Sequence, residues 1–83
     1  MEKYVLFIID ECFFCSEAVL LLDKGEAEYK TVDVTQDLNV RAQLKMAFNW
    51  GTFPIVLAQE GKALNLIGGY TDLKEYVEKN EAG

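Results

Sequence analysis

The chain has 83 residues, 51% of them hydrophobic and 27% charged, with 6 Gly and 1 Pro; this is enough apolar material for the core of one domain and excludes a disordered or Pro/Gly-rich segment. A net charge of −6 with no cluster of Lys or Arg denies it the electrostatic footprint of a nucleic-acid binder. The longest apolar stretches, Tyr4 to Ile9 and Ala18 to Leu22, are too short to cross a bilayer, and residues 1 to 9 lack the cationic start and cleavage site of a signal peptide, so a cytoplasmic protein without membrane contact is expected.

Tyr4 to Ile9 is continuously apolar with β-branched and aromatic members, the pattern of a central strand covered on both faces. Directly after it comes Cys12-Phe13-Phe14-Cys15. Two thiols at a strand-to-helix junction put the first sulfur near unpaired helix N–H groups and the positive end of the helix dipole, which favour thiolate over thiol. The second sulfur, one turn into the helix, can reach back and expel whatever the first has captured. The pair therefore reads as a redox centre. Other uses of the spacing are half of a zinc site, a static disulfide and two inert core cysteines. With only 2 Cys and no His in the chain, a closed zinc site would need a second subunit or several carboxylates.

Cys15 to Lys24 is rich in helix formers and is followed by Gly25, a natural C-terminal cap. Glu28 to Val34 alternates as a second strand, with Tyr29, Thr31 and Asp33 on one side and Val32 and Val34 on the other, parallel to the first through the helical crossover. Thr35 or Asp37 can cap a helix over residues 38 to 48, whose apolar stripe is Val40, Leu44, Ala47 and Phe48. Asn49-Trp50-Gly51 breaks it. Ile55 to Ala58 and Ala63 to Ile67, joined through Glu60-Gly61, form a hairpin that ends at Gly68-Gly69. Thr71 can then cap a last helix with Leu73, Tyr76 and Val77 on one face, fraying into Asn80 to Gly83.

The resulting order, βαβαββα with a Cys-x-x-Cys after the first strand, is that of the α/β thioredoxin fold: a four-stranded mixed sheet flanked by three helices. Together with Thr52-Phe53-Pro54 before the third strand and Gly68-Gly69-Tyr70-Thr71-Asp72-Leu73 before the last helix, it resembles the glutaredoxin family over essentially the whole chain, read as one domain spanning residues 1 to 83.

That resemblance implies a thiol-disulfide oxidoreductase in which Cys12 attacks and Cys15 resolves, with glutathione as the reducing co-substrate and no obligatory metal. It implies a cis Phe53-Pro54 bond facing the cysteines, so that the backbone of Phe53 offers a docking edge beside Thr52. It places the γ-glutamyl carboxylate at the N–H groups of Thr71 and Asp72, beside Gly69 and Tyr70, with the Asp72 carboxylate accepting from the ammonium. Arg41 falls where a residue reaching the glycine carboxylate often stands. Each of these residues also has a plainer use: Pro54 as a strand-edge or turn residue, Gly68-Gly69 as a turn, Thr71 as an N-cap, Asp72 as a dipole partner and Arg41 as a solvated side chain. The expected partners are glutathione and disulfide-containing or glutathionylated proteins, ribonucleotide reductase among them, met by a monomer in cell redox homeostasis. Two rival readings are a dimer holding a glutathione-ligated [2Fe-2S] cluster, for which Phe13 in place of the usual Pro removes one obstacle, and a redoxin reduced by thioredoxin reductase, against which the Gly-Gly-x-x-Asp-Leu element argues.

The chain departs from the family at the approach to Cys12. Ile9 replaces a frequent Lys, Asp10 and Glu11 follow it, and Trp50 stands where a basic residue often precedes the Thr. Nearby negative charge disfavours a thiolate, and glutathione binding weaker than the family's is expected. The site reads as an aromatic patch of Phe13, Phe14, Trp50, Phe53 and Tyr70, suited to a partner protein as much as to a tripeptide.

Overall fold

The computed structural model describes the backbone of residues 3–82 and the side chains of residues 3–79. Its elements are β1 (Lys3–Ile8), α1 (Phe13–Lys24), β2 (Glu28–Asp33), α2 (Leu38–Phe48), β3 (Ile55–Glu60), β4 (Ala63–Gly68) and α3 (Tyr70–Ala82). The sheet order is β2-β1-β3-β4, with β1 parallel to β2 and antiparallel to β3, and β3 antiparallel to β4. This is the thioredoxin fold expected from the element order. The continuous apolar runs became the two inner strands because only a strand covered on both faces buries successive residues; Ile55, Val56, Leu57 and Ala58 are all buried.

Strand alternation divides the core in two. On one face, Tyr4, Leu6 and Val56 pack with Ala18 and Leu22 of α1 and Leu73 of α3. The opposite face carries Val5, Ile55 and Leu57, which are also buried, and α2 contributes Leu44 as its buried residue. The expected stripe of α2 is narrower than its sequence suggests. Val40 and Phe48 are half-buried and Ala47 is exposed, because α2 rests on the sheet along little more than one row of side chains.

Helices α1 and α3 begin earlier than expected, and α3 also ends later. Helix α1 begins at Phe13, earlier than the Cys15 start, since Cys12 itself is the N-cap and accepts from the Cys15 N–H. At its other end Gly25 donates its N–H to the Leu21 carbonyl but keeps φ −84, and the left-handed residue is Glu26 at φ 54. Asp37, not Thr35, caps α2, its carboxylate accepting from the Val40 N–H at 3.0 Å. Helix α3 begins at Tyr70, which places Thr71 inside the first turn rather than at the cap, and it runs on to Ala82 where fraying was expected from Asn80; Gly83 lies outside the described residues. In β4 the pairing shifts between Val56↔Gly68 and Leu57↔Leu66, so Ile67 is an extra residue of a bulge that turns the chain into Gly68 and α3.

Candidate active site

The site is assembled at the C-terminal end of β1, where four loops converge. The first carries the dithiol. Cys12 ends the β1–α1 loop with extended backbone, φ −108 and ψ 104, and its Sγ lies 3.2 Å from the Cys15 amide nitrogen. A sulfur used as a helix N-cap is held against donors that have no partner within the helix. Cys12 is half-buried, whereas Cys15, one turn along α1, is only 4% exposed. The two sulfurs are joined as a disulfide across a Cα–Cα distance of 5.2 Å, so the structure is that of the oxidised protein.

The second loop precedes β3. The Phe53-Pro54 peptide bond is cis, Pro54 is buried, and the Phe53 carbonyl oxygen stands 3.7 Å from Cys12 Sγ. In the oxidised protein that sulfur carries no hydrogen, and the pair is a close contact; the reduced thiol would have a carbonyl to donate to. The expected juxtaposition of the residue 53 backbone with Cys12 is therefore present.

The third loop joins β4 to α3. Gly68 has φ 128, and a Cβ there would fall 2.5 Å from Asp72 Oδ2, so the position demands glycine. Gly69 has no such constraint: a Cβ would make ordinary contacts at 3.7 Å with the Pro54 carbonyl oxygen and the Trp50 ring. The Asp72 carboxylate accepts from the Gly69 N–H at 3.1 Å while the Leu73 N–H donates to the Gly69 carbonyl at 3.0 Å. The Asp72 bond is the half of a capping box that an N3 side chain supplies, and it gives Asp72 a capping duty beside the dipole role expected of it.

Phe14, Trp50, Thr52, Phe53, Gly69, Tyr70, Thr71 and Asp72 line one cleft of about 270 Å³. Seven of the ten residues marked in the sequence are thus in this cleft or, for Pro54, in its wall through the carbonyl facing Gly69; Cys12 adjoins it through Phe53, and Cys15 is bonded to Cys12. Phe14 stacks on Tyr70 at 5.8 Å between centroids. Trp50 leans its indole on Gly69, and its Nε1 is buried without a hydrogen-bond partner among the described residues. Phe13, 68% exposed, meets Phe14 edge-on at 5.3 Å but lies outside the cleft, so four of the five expected rings line the cleft and Phe13 joins them only through Phe14.

Arg41 does not line the cleft. Its guanidinium carbon sits 5.5 Å above the centroid of Phe53 and its Nη1 donates to the Thr35 carbonyl at 3.4 Å. Here the structure adds residues the sequence reading missed. In the fourth loop, between β2 and α2, Thr35 Oγ1 accepts from the Asp10 N–H at 2.7 Å and donates to Asp33 Oδ1 at 2.6 Å, while the Thr35 N–H donates to the same oxygen at 2.8 Å. Thr35 therefore ties down both the loop that leads into Cys12 and, through Arg41, the loop that carries Phe53. The only sequence signal for this was an Asp-x-Thr after a strand, the pattern of a turn closed by a side chain. The two donors, the hydroxyl above all, hold the Asp33 carboxyl below the usual carboxylate range.

A dithiol at the N-terminus of the first helix, faced by a cis-proline loop, defines a redox-active member of the thioredoxin fold. The glutaredoxin family model matches residues 4–62. The chain is 34% identical over 71 residues, 86% of its length, to zebrafish glutaredoxin 3, and spans about a fifth of the length of that protein and of the human glutaredoxin-3 it also matches. Among solved structures it is similar to the buckwheat glutaredoxin-glutathione complex, with TM-score 0.78, 25% identity and coverage of 96% of this chain and 72% of that one. It shares its fold with Escherichia coli glutaredoxin at TM-score 0.70 and 23% identity, covering 98% and 99% of the two chains. The chain belongs to the glutaredoxin family.

Proposed function

We propose that this chain is a glutathione-dependent thiol-disulfide oxidoreductase that reduces protein disulfides and glutathione mixed disulfides. The observation that carries the reading is the position of Cys12 Sγ, 3.2 Å from the Cys15 amide nitrogen and 3.7 Å from the Phe53 carbonyl oxygen. A sulfur so placed has an N–H donor to support a thiolate and a backbone edge beside it on which a substrate can lie.

The chemistry is two successive exchanges. The Cys12 thiolate attacks one sulfur of the substrate disulfide, forming a mixed disulfide and releasing the other sulfur as a thiolate. The Cys15 thiolate then attacks Cys12 Sγ, the second substrate thiolate leaves, and the Cys12–Cys15 disulfide remains. Two glutathiones return the pair to dithiol, one by forming a mixed disulfide on Cys12 and one by displacing it, and they leave as oxidised glutathione carrying the two electrons.

The cleft suits the tripeptide. In the first turn of α3 the N–H groups of Thr71 and Asp72 precede the first intrahelical bond, from Leu73 to Gly69, and so can receive the γ-glutamyl carboxylate. Asp72 uses Oδ2 on Gly69, which leaves Oδ1 for the ammonium. Thr52, Phe53 and Pro54 offer the edge for the cysteinyl backbone, with Gly69 and Tyr70 opposite, and Arg41, over the Phe53 ring, keeps N–H donors beyond the one on Thr35 for the glycine carboxylate. The reaction needs a glutathione pool held reducing, which fits a cytoplasmic monomer acting on clients such as ribonucleotide reductase.

The test is a coupled assay of the full chain with glutathione, glutathione reductase and a small glutathione mixed disulfide, beside a parallel assay with thioredoxin reductase. Turnover in the first and none in the second is expected. The reverse result would make the chain a thioredoxin-reductase substrate and overturn the proposal.

A further inference from the structure

On the side of the dithiol away from the Trp50–Asp72 cleft lies a second and larger groove, of about 710 Å³, between the β1–α1 loop and the outer face of α1. Cys12 and Cys15 line it, Ile9, Val19 and Leu20 supply an apolar floor, and Asp10 and Glu11 stand at the end next to Cys12. Leu20 is 50% exposed there. No Lys or Arg is among the lining residues, and the ion pair found among the described residues is elsewhere, between Lys3 and Glu28. Asp10 and Glu11 therefore give the groove negative charge with no cation among its described lining residues.

A protein disulfide presented to Cys12 brings polypeptide on both sides of the sulfur. The cleft takes one side. The other must cross this groove, which is continuous with the reacting sulfur and complementary to positive charge. Resting on the function proposed above, we propose that the groove selects client proteins whose reactive cysteine is flanked by a basic residue, paired with Asp10 and Glu11, and by a large apolar residue seated on Ile9, Val19 and Leu20.

The test uses the full chain and synthetic disulfide-bridged peptides that differ only beside the cysteine: Lys-Leu, Glu-Leu and Lys-Ser. The ratio of kcat/KM for Lys-Leu over Glu-Leu is expected to be about tenfold at low ionic strength and to shrink at high salt. The double variant Asp10→Asn/Glu11→Gln should bring it close to unity. Glu75→Gln/Glu78→Gln removes the same charge from α3, where neither residue touches the groove, and should leave the ratio as it is. Lys-Ser should react more slowly than Lys-Leu. Equal rates for Lys-Leu and Glu-Leu, or an equal loss of the ratio in the α3 variant, would overturn the groove as the selector and leave only the net charge of the protein. Equal rates for Lys-Ser and Lys-Leu would overturn its apolar half. Turnover of a glutathione mixed disulfide alongside any of these results separates them from failure of the proposed function, whose sign is no turnover on any disulfide.

Discussion

The Arg41 guanidinium carbon lies over the ring of Phe53, 5.5 Å from its centroid, and Phe53 in turn presents its carbonyl oxygen 3.7 Å from Cys12 Sγ. A cation within about 6 Å of an aromatic face is worth about 0.5–1 kcal/mol at a partly exposed site, so the guanidinium restrains the loop on which a substrate would dock. Arg41→Ala should raise the KM for a glutathione mixed disulfide about two- to fivefold, the equivalent of that energy, while kcat changes little. Lysine has no planar guanidinium to spread over the ring while donating to the Thr35 carbonyl, so Arg41→Lys should recover only part of the loss. An unchanged KM in both variants would confine Arg41 to a structural role.

Thr35 joins the same network from the other side. Thr35→Val should cost about 1 kcal/mol through the lost Asp10 N–H bond alone, the net value of an ordinary hydrogen bond, and should speed hydrogen exchange at Asp10. Asp33 supplies a pH signature. Its carboxyl titrates below its usual range when folded, so the unfolded chain binds its proton first as pH falls, and the stabilisation is present above the unfolded value and lost as pH drops through the folded one. Asp33→Asn should be less stable than the parent protein at neutral pH, and the gap should close in acid. Chemical denaturation across pH checks this; a gap that widened in acid would contradict the assignment.

Gly68 and Gly69 are adjacent but not equivalent. A side chain at 68 meets both a backbone of φ 128 and the Asp72 carboxylate at 2.5 Å, whereas one at 69 meets neither. Gly68→Ala should therefore destabilise by more than about 1 kcal/mol and loosen the start of α3. Gly69→Ala should leave the thermal midpoint nearly unchanged while narrowing the cleft between Pro54 and Trp50. Equal stability losses at the two positions would refute the distinction.

What the sequence made legible were features encoded by neighbours in the chain. The apolar runs of β1 and β3, the cap at Asp37, the turn at Gly61 and the dithiol before α1 each rest on residues within a few positions of one another. The cleft was legible because three short motifs, each readable alone, are brought to one end of the sheet by the fold. The clamp of Arg41 on Phe53 and the bond from Asp10 to Thr35 were not, because each joins loops that only the closed sheet brings together, 12 and 25 positions apart. The place of Phe13 outside the cleft has a local cause: Phe13 and Phe14 are consecutive, but on a helix successive side chains point about 100° apart, and Phe14 is the one that stacks on Tyr70.

The unequal exposure of the two cysteines fixes their order of reaction. In the reduced protein Cys12 should be alkylated well before Cys15, because Cys15 is 4% exposed within α1 and Cys12 is open at the loop. Limited iodoacetamide labelling followed by peptide mass mapping decides it, and faster labelling of Cys15 would reverse the roles. Cys15→Ser should retain reduction of glutathione mixed disulfides, which needs one thiol, and lose reduction of protein disulfides, which needs two.

Ile9, half-buried beside Cys12 in the larger groove, occupies the position from which a cation would act on both the thiol and the groove. Near Cys12 the structure offers the Cys15 N–H at 3.2 Å in favour of a thiolate, and against it the Phe53 carbonyl oxygen at 3.7 Å and the carboxylates of Asp10 and Glu11. A helix N-terminus contributes only about 0.3–1 kcal/mol when exposed. Ile9→Lys would add an ammonium whose attraction to the sulfur is worth about 1 kcal/mol at about 4 Å in water, enough to raise a minor thiolate population about fivefold. The absorbance of the reduced variant near 240 nm, compared with that of the parent protein at one mildly acidic pH, should rise accordingly, and the rise should shrink with added salt. The same lysine would oppose Asp10 and Glu11, so it should also weaken the preference for Lys-flanked peptides. A gain in thiolate with the peptide preference intact would place that preference outside the groove; no gain in thiolate would mean that the sulfur is already supported by donors stronger than the Cys15 N–H.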